Sequence, residues 1–403
     1  MRAVYLAMTA VLSFGSGLIA PAYVILYVRT AGLGPLELVL VGTALEASYF
    51  VANVPTGAFA DAFGRRWSII LGVGIMGLGW LAQALIPVFG FILLAEVVRG
   101  IGAAFENGAS EAWIAGEVGD AALPMLFARA SQLQRLAYLA GLGGSVALAT
   151  LGYAAPIVAG AAVSLLVAIG LVFLLREPAF RRPAARQSWR GLSATARESA
   201  GLVRRRPFLL TLFVATALAG AASEGFDRLS EPHLLTLLPA ALAPVVALAA
   251  IDVVKTIVGI GMGEIAHRAA RAAMPVLGPV LAIAEACDIA LTVVFALATG
   301  FPLAAAALLS GSAIGSATRP LYRAWLTASI EPRVRATVLS MHSLCNAGGQ
   351  IAGGPVIGAI GSLFSIPVAL ITGTVFLVPN VLLYLRAGGH AARAAAMLAE
   401  AAP

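Results

Sequence analysis

The feature that most limits this chain is a series of apolar runs, each long enough to cross a bilayer, with the arginines gathered in the joints between them. A spanning helix needs about 20 predominantly apolar residues. Counted that way, the sequence predicts twelve spans, near 4–28, 36–60, 67–88, 90–114, 130–152, 154–175, 207–230, 239–264, 273–298, 302–327, 335–360 and 364–386. Glycine and proline punctuate the joints, as at Gly32, Gly34 and Pro35, at Pro87, and at Gly300 and Pro302. With 60% hydrophobic and 11% charged residues, a chain of 403 residues lacks the polar surface that a soluble core of this size needs. The run behind Met1 and Arg2 is too long for a signal-peptide core and reads as the first span.

Of the 26 basic residues only Lys255 is a lysine. Excess arginine can signal nucleic acid or anionic lipid. Here placement decides for lipid and against nucleic acid. Alternate joints hold Arg65 and Arg66, Arg129, the run from Arg176 to Arg206, Arg268 and Arg271, Arg323, Arg333 and Arg335, then Arg386 and Arg393, with Arg29 the main exception. The positive-inside rule puts those joints and both termini in the cytoplasm, as an even number of spans requires. The expected protein is therefore a multi-pass protein of the cytoplasmic (inner) membrane. Residues 176–206 read as a basic cytoplasmic linker on lipid headgroups, with 188–203 able to form a surface helix. It divides an N-terminal six-helix bundle (1–175) from a C-terminal one (207–386), with a cytoplasmic tail at 387–403. Two internal echoes point to duplication. A shift of 203 residues sets Asp61 and Arg65 on Glu264 and Arg268, and a shift of 212 sets Glu111 and Trp113 on Arg323 and Trp325.

Charges inside spans are costly and mark candidate functional sites, with structural ion pairs as the competing role. In the fourth span Glu96, Arg99, Glu106, Asn107, Ser110 and Glu111 fall on one stripe, with Glu96 the nearest partner for Arg99. In the second, Glu46 shares a face with Tyr49, Asn53 and Gly57 and is the first candidate for a proton carrier. The seventh carries Thr216, Glu224, Asp227 and Arg228, where Glu224 and Arg228 are spaced for an ion pair. Asp252 and Lys255 in the eighth are spaced for a mutual pair. Arg135 in the fifth is expected to meet an acid of the second or fourth. Glu285 and Asp288 share a face of the ninth, without an assigned role. Neutral polar stripes run through Ser16 and Tyr23 in the first span and Tyr322 in the tenth. Cys287 and Cys345 lie in apolar segments, and His233, His267, His342 and His390 show no ligand spacing, so neither disulfides nor a metal site is expected.

Residues 55–71 contain Gly57, Asp61, Gly64, Arg65 and Arg66 in the order G-x-x-x-D-x-x-G-R-R, between the second and third spans. This resembles the loop signature of the major facilitator superfamily. The run from Arg99 to Ala104 resembles the fourth-helix Arg motif of its antiporters, one spacer short. Pro332 to Ser340, with the glycines between Gly348 and Pro355, resembles the eleventh helix of its drug exporters. The resemblance covers nearly the whole chain. It implies an all-α integral membrane protein of twelve transmembrane helices, in two pseudo-symmetric six-helix bundles, with helices 1, 4, 7 and 10 lining a cavity. It also implies a monomeric transporter of the drug-efflux branch, without cofactor or enzyme activity, exchanging protons for small amphiphilic or cationic compounds by alternating access.

On that reading the proton-coupling candidates are Glu46, Glu96, Arg99, Glu106, Glu224 and Asp227. The cavity candidates are Ser16, Tyr23, Asn53, Asn107, Asp252, Lys255 and Tyr322. The cytoplasmic gate comprises Gly57, Asp61, Gly64, Arg65, Arg66, Glu111 and Arg135, with Glu111, Glu117 or Asp120 as partners for the arginine pair. Eight mid-span acids (46, 96, 106, 224, 227, 252, 285 and 288) against four bases (99, 135, 228 and 255) favour protons and cations. Two other readings stay open: a facilitator or importer of a small solute, including an anion held by Arg99 and Arg135, and a membrane receptor or scaffold that does not transport. ATP-driven transport has no Walker motif to support it.

Overall fold

The computed structural model describes residues 1–119, 122–178, 201, 203–204, 206–273, 276–330 and 335–400. The helices are α1 (Arg2–Ile25), running on as a π turn over Leu26–Thr30, α2 (Pro35–Phe63), α3 (Arg65–Leu85), α4 (Phe89–Glu106), α5 (Ala109–Val118), α6 (Leu123–Leu148) and α7 (Ala154–Leu174). Then follow α8 (Pro207–Thr236), α9 (Pro244–Ala273), α10 (Leu277–Leu297), α11 (Phe301–Ala328), α12 (Arg335–Leu363) and α13 (Ile366–Glu400). Among the described residues nine helices are long and apolar enough to cross a membrane. Of the other expected spans, α6 and α12 have the length, 26 and 29 residues, but carry more polar side chains.

The fourth span differs from expectation. It is not one helix over 90–114 but two, interrupted at Asn107 and Gly108. The last span also runs further than expected, with α13 helical to Glu400 through most of the anticipated tail. The proposed surface helix at 188–203 falls almost wholly outside the described residues.

Helix boundaries follow local chemistry. Pro35 opens α2 behind Gly34, whose N–H donates to the Glu37 carboxylate at 2.8 Å. Gly64, at φ +95°, ends α2 and allows α3 to start at once in a new direction.

The chain divides into two compact units: Met1–Ala185 with Leu238–Val253, and Arg186–Leu237 with Val254–Pro403. In the first, α1 packs on α6 and α7, α2 on α4, and α3 on α4 and α7. Its core near Met1 gathers Tyr5, Ile69, Trp113, Ile114 and Leu171. In the second, α8 packs on α12 and α13, and α10 on α11 and α13. Its core includes Leu209, Leu212, Phe213, Leu281, Trp325 and Leu326. Hydrocarbon is as apolar as leucine, so spanning helices gain from close backbone approach rather than from water exclusion. Gly349 and Gly353 on α12 supply that: a Cβ there would stand 2.1 Å from the Ala217 carbonyl oxygen and 2.4 Å from that of Ala221. The glycine-rich run thus brings α12 into close contact with α8.

Candidate functional site

In the first unit, at the end away from Met1, the π turn after α1 carries Tyr27 into a buried polar cluster. Its hydroxyl reaches the side-chain oxygen of Gln83 on α3 and lies 3.2 Å from Glu96 Oε1 on α4. Gln83 Nε2 donates to the same oxygen at 3.0 Å. Arg99 forms an ion pair with Glu96, and its guanidinium carbon sits 3.5 Å from the centre of the Trp80 ring. Tyr23 packs edge-on against both Trp80 and Tyr27. The charge of Arg99 is thus matched by a carboxylate and an aromatic face. Glu96 is 1% exposed, so this pair lies within the packed helices rather than on an open surface.

The interruption in α4–α5 is held by its neighbours. A helix end leaves carbonyls without intrahelical partners. Thr56 Oγ1 on α2 lies 3.0 Å from the Ala104 carbonyl, and Ser68 on α3 donates to the Phe105 carbonyl at 2.6 Å. Gly108, at φ +67°, then turns the chain, and α5 restarts with Ala112 N–H on the Gly108 carbonyl at 3.0 Å. Glu106, bonded by the Ser110 hydroxyl, stands on one side of the break and Glu111 on the other. Asn107, Gly108 and Glu111 are exposed. Irregular backbone at membrane depth is tolerated against protein or water and not against lipid. On α2, Glu46 is half-buried one turn from Tyr49. α2 and α4 approach closely at Gly100, where a Cβ would stand 2.0 Å from Ser48 Oγ. Within the same unit, Tyr138 on α6 donates to Asp252 at 3.1 Å.

At the joint between α2 and α3, the backbone N–H groups of Arg65 and Arg66 donate to the two oxygens of Glu177, at 3.2 and 3.0 Å. A carboxylate so placed satisfies the first amides of α3 and complements its dipole. Arg65 Nη1 donates to the Ala112 carbonyl at 2.7 Å, and Arg66 Nη2 to the Val172 carbonyl at 2.5 Å. The arginine pair thus binds carbonyls, and no ion pair joins it to Glu111 or Glu117 among the described residues. Asp120 lies outside them. Glu177 was missed because it sits in the basic linker, where its own carboxylate was outvoted by nine arginines. Asp61 is exposed, and a Cβ at Gly57 would meet nothing within 4 Å. Arg135 is exposed and has no carboxylate at ion-pair distance among the described residues, against the expected pairing. Ser16 donates to its own helix, at the Leu12 carbonyl.

In the second unit, Arg228 Nε is 3.0 Å from Glu224 Oε1, the spacing-predicted pair. Asp227 is exposed and within electrostatic reach of Arg228, Arg319 and Lys255. Nearer the other end, three side chains close a triangle: Thr216 Oγ1 is 2.8 Å from the Tyr322 hydroxyl and 2.7 Å from His342 Nε2, and Tyr322 is 3.0 Å from His342 Nε2. His342 is a site residue that spacing did not reveal. Its partners lie 126 and 20 residues away on α8 and α11, so only packing could disclose them.

A family model described as Major Facilitator Superfamily matches residues 5–287. An uncharacterized MFS-type transporter, YxaM of Bacillus subtilis (strain 168), is 21% identical over 386 residues, covering 94% of each chain. Among solved structures, a point mutant of the nucleoside transporter NupG superposes with a TM-score of 0.77 at 14% identity, covering 96% of this chain and 100% of that one. A bacterial homolog of the human lysosomal transporter Spinster, inward-facing and unoccupied, gives 0.75 at 17% identity, with 96% and 97% coverage. A POT family transporter in complex with a thioalcohol-conjugated peptide gives 0.75 at 11% identity, with 95% of each chain covered.

Proposed function

Because this chain belongs to the major facilitator superfamily and is a multi-pass membrane transporter of that type, we propose that it couples proton movement to the export of small amphiphilic or cationic compounds across the cytoplasmic membrane, working as a monomer with both termini inside. The observation that carries this reading is the exposed break in the fourth span, which sets Glu106 and Glu111 on either side of Gly108 and which we read as facing water. Acids at a water-lined break can exchange protons and attract a cation. Arg99 is paired with Glu96, so its charge is matched within the packed helices, and Glu106 and Glu111 stand at the break itself. Moving one elementary charge across 100 mV is worth about 2.3 kcal/mol, so the net charge moved per cycle adds to the driving force of the gradients. In this scheme the joint at Asp61, Gly64, Arg65 and Arg66 is the cytoplasmic gate, carried on the Glu177 cap.

The test is purified protein in liposomes with an imposed pH gradient and a fluorescent lipophilic cation. Gradient-driven cation movement that Glu106→Gln and Glu111→Gln each slow is the expected result. Movement unaffected by both substitutions removes the break from the mechanism. The exposed, unpaired Arg135 favours a second reading, entry of a small anionic solute. Uptake of an organic anion that Arg135→Ala abolishes, without cation flux, would establish that reading instead. Flux of neither probe would point to a receptor or scaffold.

A further inference from the structure

Asn380 lies on α13 and is 0% exposed. Its Nδ2 donates to the Ala215 carbonyl on α8 at 3.2 Å and to Glu285 Oε1 on α10 at 3.1 Å, which uses both amide protons. The Ala215 carbonyl fixes which way the amide faces, since a flipped amide would set oxygen against oxygen. Asn380 Oδ1 is then left buried without a partner. A buried acceptor in that condition is costly. Asn380 is the one hydrogen-bond partner of Glu285 among the described residues.

We propose that Glu285 is a proton-binding site whose acid form completes this contact. The carboxylate takes one proton from water on Oε2. That O–H then donates to Asn380 Oδ1 while Nδ2 continues to donate to Oε1. Acid and amide are both planar, and the two bonds close a ring that only the protonated acid can form. The pair clips α10 to α13, and through the Ala215 carbonyl it ties both to α8. Loss of the proton removes the bond to Oδ1 and sets a carboxylate oxygen against the amide oxygen, which loosens the clip. The ionisable groups facing Glu285 are Tyr384 on α13 and Asp288 on α10 itself, with Arg319 on α11 beyond Asp288. Asp288 is turned toward α11, where a Cβ on Gly311 would stand 3.1 Å from its Oδ1. The contribution of α8 is the Ala215 carbonyl. The site stands whether or not transport is proton-coupled, because it belongs to the packing of one unit.

The experiment uses the full chain in lipid nanodiscs. Infrared difference spectra between acidic and alkaline buffer should show a protonated-carboxyl carbonyl band that Glu285→Gln removes and Asn380→Leu displaces. Identical difference spectra for wild type and Glu285→Gln would overturn the proposal. A band that Asn380→Leu leaves in place would overturn the acid–amide pairing, with a buried water then meeting Oδ1. A second measurement needs no variant. An apolar carbodiimide attacks protonated carboxyls, and tandem mass spectrometry of the wild type should find Glu285 modified in acid. Above the midpoint the modification should fall about tenfold per pH unit. Modification that is absent, or independent of pH, would also overturn the site.

Discussion

The two units carry the same tryptophan at matching positions but treat the span around it differently. Trp113 and Trp325, 212 residues apart, are each buried in the core of their own unit, so that echo reports equivalent places in a duplicated framework. Five residues before each tryptophan the resemblance ends. The first unit has Gly108 in a left-handed conformation and a helix that stops and restarts. The second has Pro320 inside α11, which continues from Phe301 to Ala328. Proline removes one helical hydrogen bond and bends a helix, yet its φ stays helical. Glycine at φ +67° ends the helix and exposes backbone. One unit therefore has a polar break where the other has a continuous helix with an internal proline.

The sharpest way to break this comparison is through the buried pairs. Each unit holds an ion pair within one span: Glu96 with Arg99, at 1% and 12% side-chain exposure, and Glu224 with Arg228, at 3% and 20%. Removing one partner of a buried pair costs about 3–5 kcal/mol. Glu96→Ala also deprives Gln83 and Tyr27 of their shared acceptor. It should lower the thermal midpoint more than Glu224→Ala, read by size-exclusion chromatography after heating. Equal losses would show that the surrounding cluster adds nothing to the first pair.

The break comes next. Alanine at φ +67° is strained by about 1–2 kcal/mol, so Gly108→Ala should destabilise the protein and slow flux in liposomes. Pro320→Ala, which restores a backbone donor, should leave stability unchanged or slightly raised. Flux that survives Gly108→Ala while Pro320→Ala abolishes it would reverse the roles assigned to the two units.

How far the sequence discloses these features depends on their range. The apolar runs, the Glu96–Arg99 and Glu224–Arg228 pairs and the tryptophan echo follow from local spacing, which helical periodicity makes readable. The break escaped notice because Asn107 and Gly108 sit in a run whose polar stripe continues through them, and the hydroxyls that hold it come from Thr56 and Ser68 on other helices. The Thr216–Tyr322–His342 triangle and the Asn380 contacts escaped for the same reason, each joining residues on three helices. Glu177 capping α3 links positions more than a hundred residues apart.

The tryptophans give a smaller, cleaner contrast. Trp113 Nε1 donates to the Arg176 carbonyl at 3.0 Å, whereas Trp325 packs edge-on against Phe208. A typical internal hydrogen bond contributes about 0.5–1.5 kcal/mol. Trp113→Phe should therefore cost about that much more than Trp325→Phe, seen as a lower thermal midpoint in the same detergent. Equal costs would mean that the Arg176 carbonyl finds another donor.

The smallest effect lies at the other echo, 203 residues apart. Arg65 follows Gly64 at a change of direction, but its counterpart Arg268 follows His267 inside α9, five residues before its end. There the acid–base pair is no joint at all. Arg268 Nε meets Glu264 at 2.8 Å one turn back, with side chains 77% and 56% exposed. Pairs of that kind on a helix surface contribute about 0.3–0.5 kcal/mol, and exposure this great places the pair at or below the lower end. Arg268→Ala should leave both the thermal midpoint and flux within error of wild type. Gly64→Ala, forced to adopt φ +95° beside the Glu177 cap, should lower both. If Arg268→Ala instead matched Gly64→Ala in slowing flux, the two positions would be functional equivalents despite their different backbones. The cytoplasmic gate would then have to be shared between both halves rather than carried by the first.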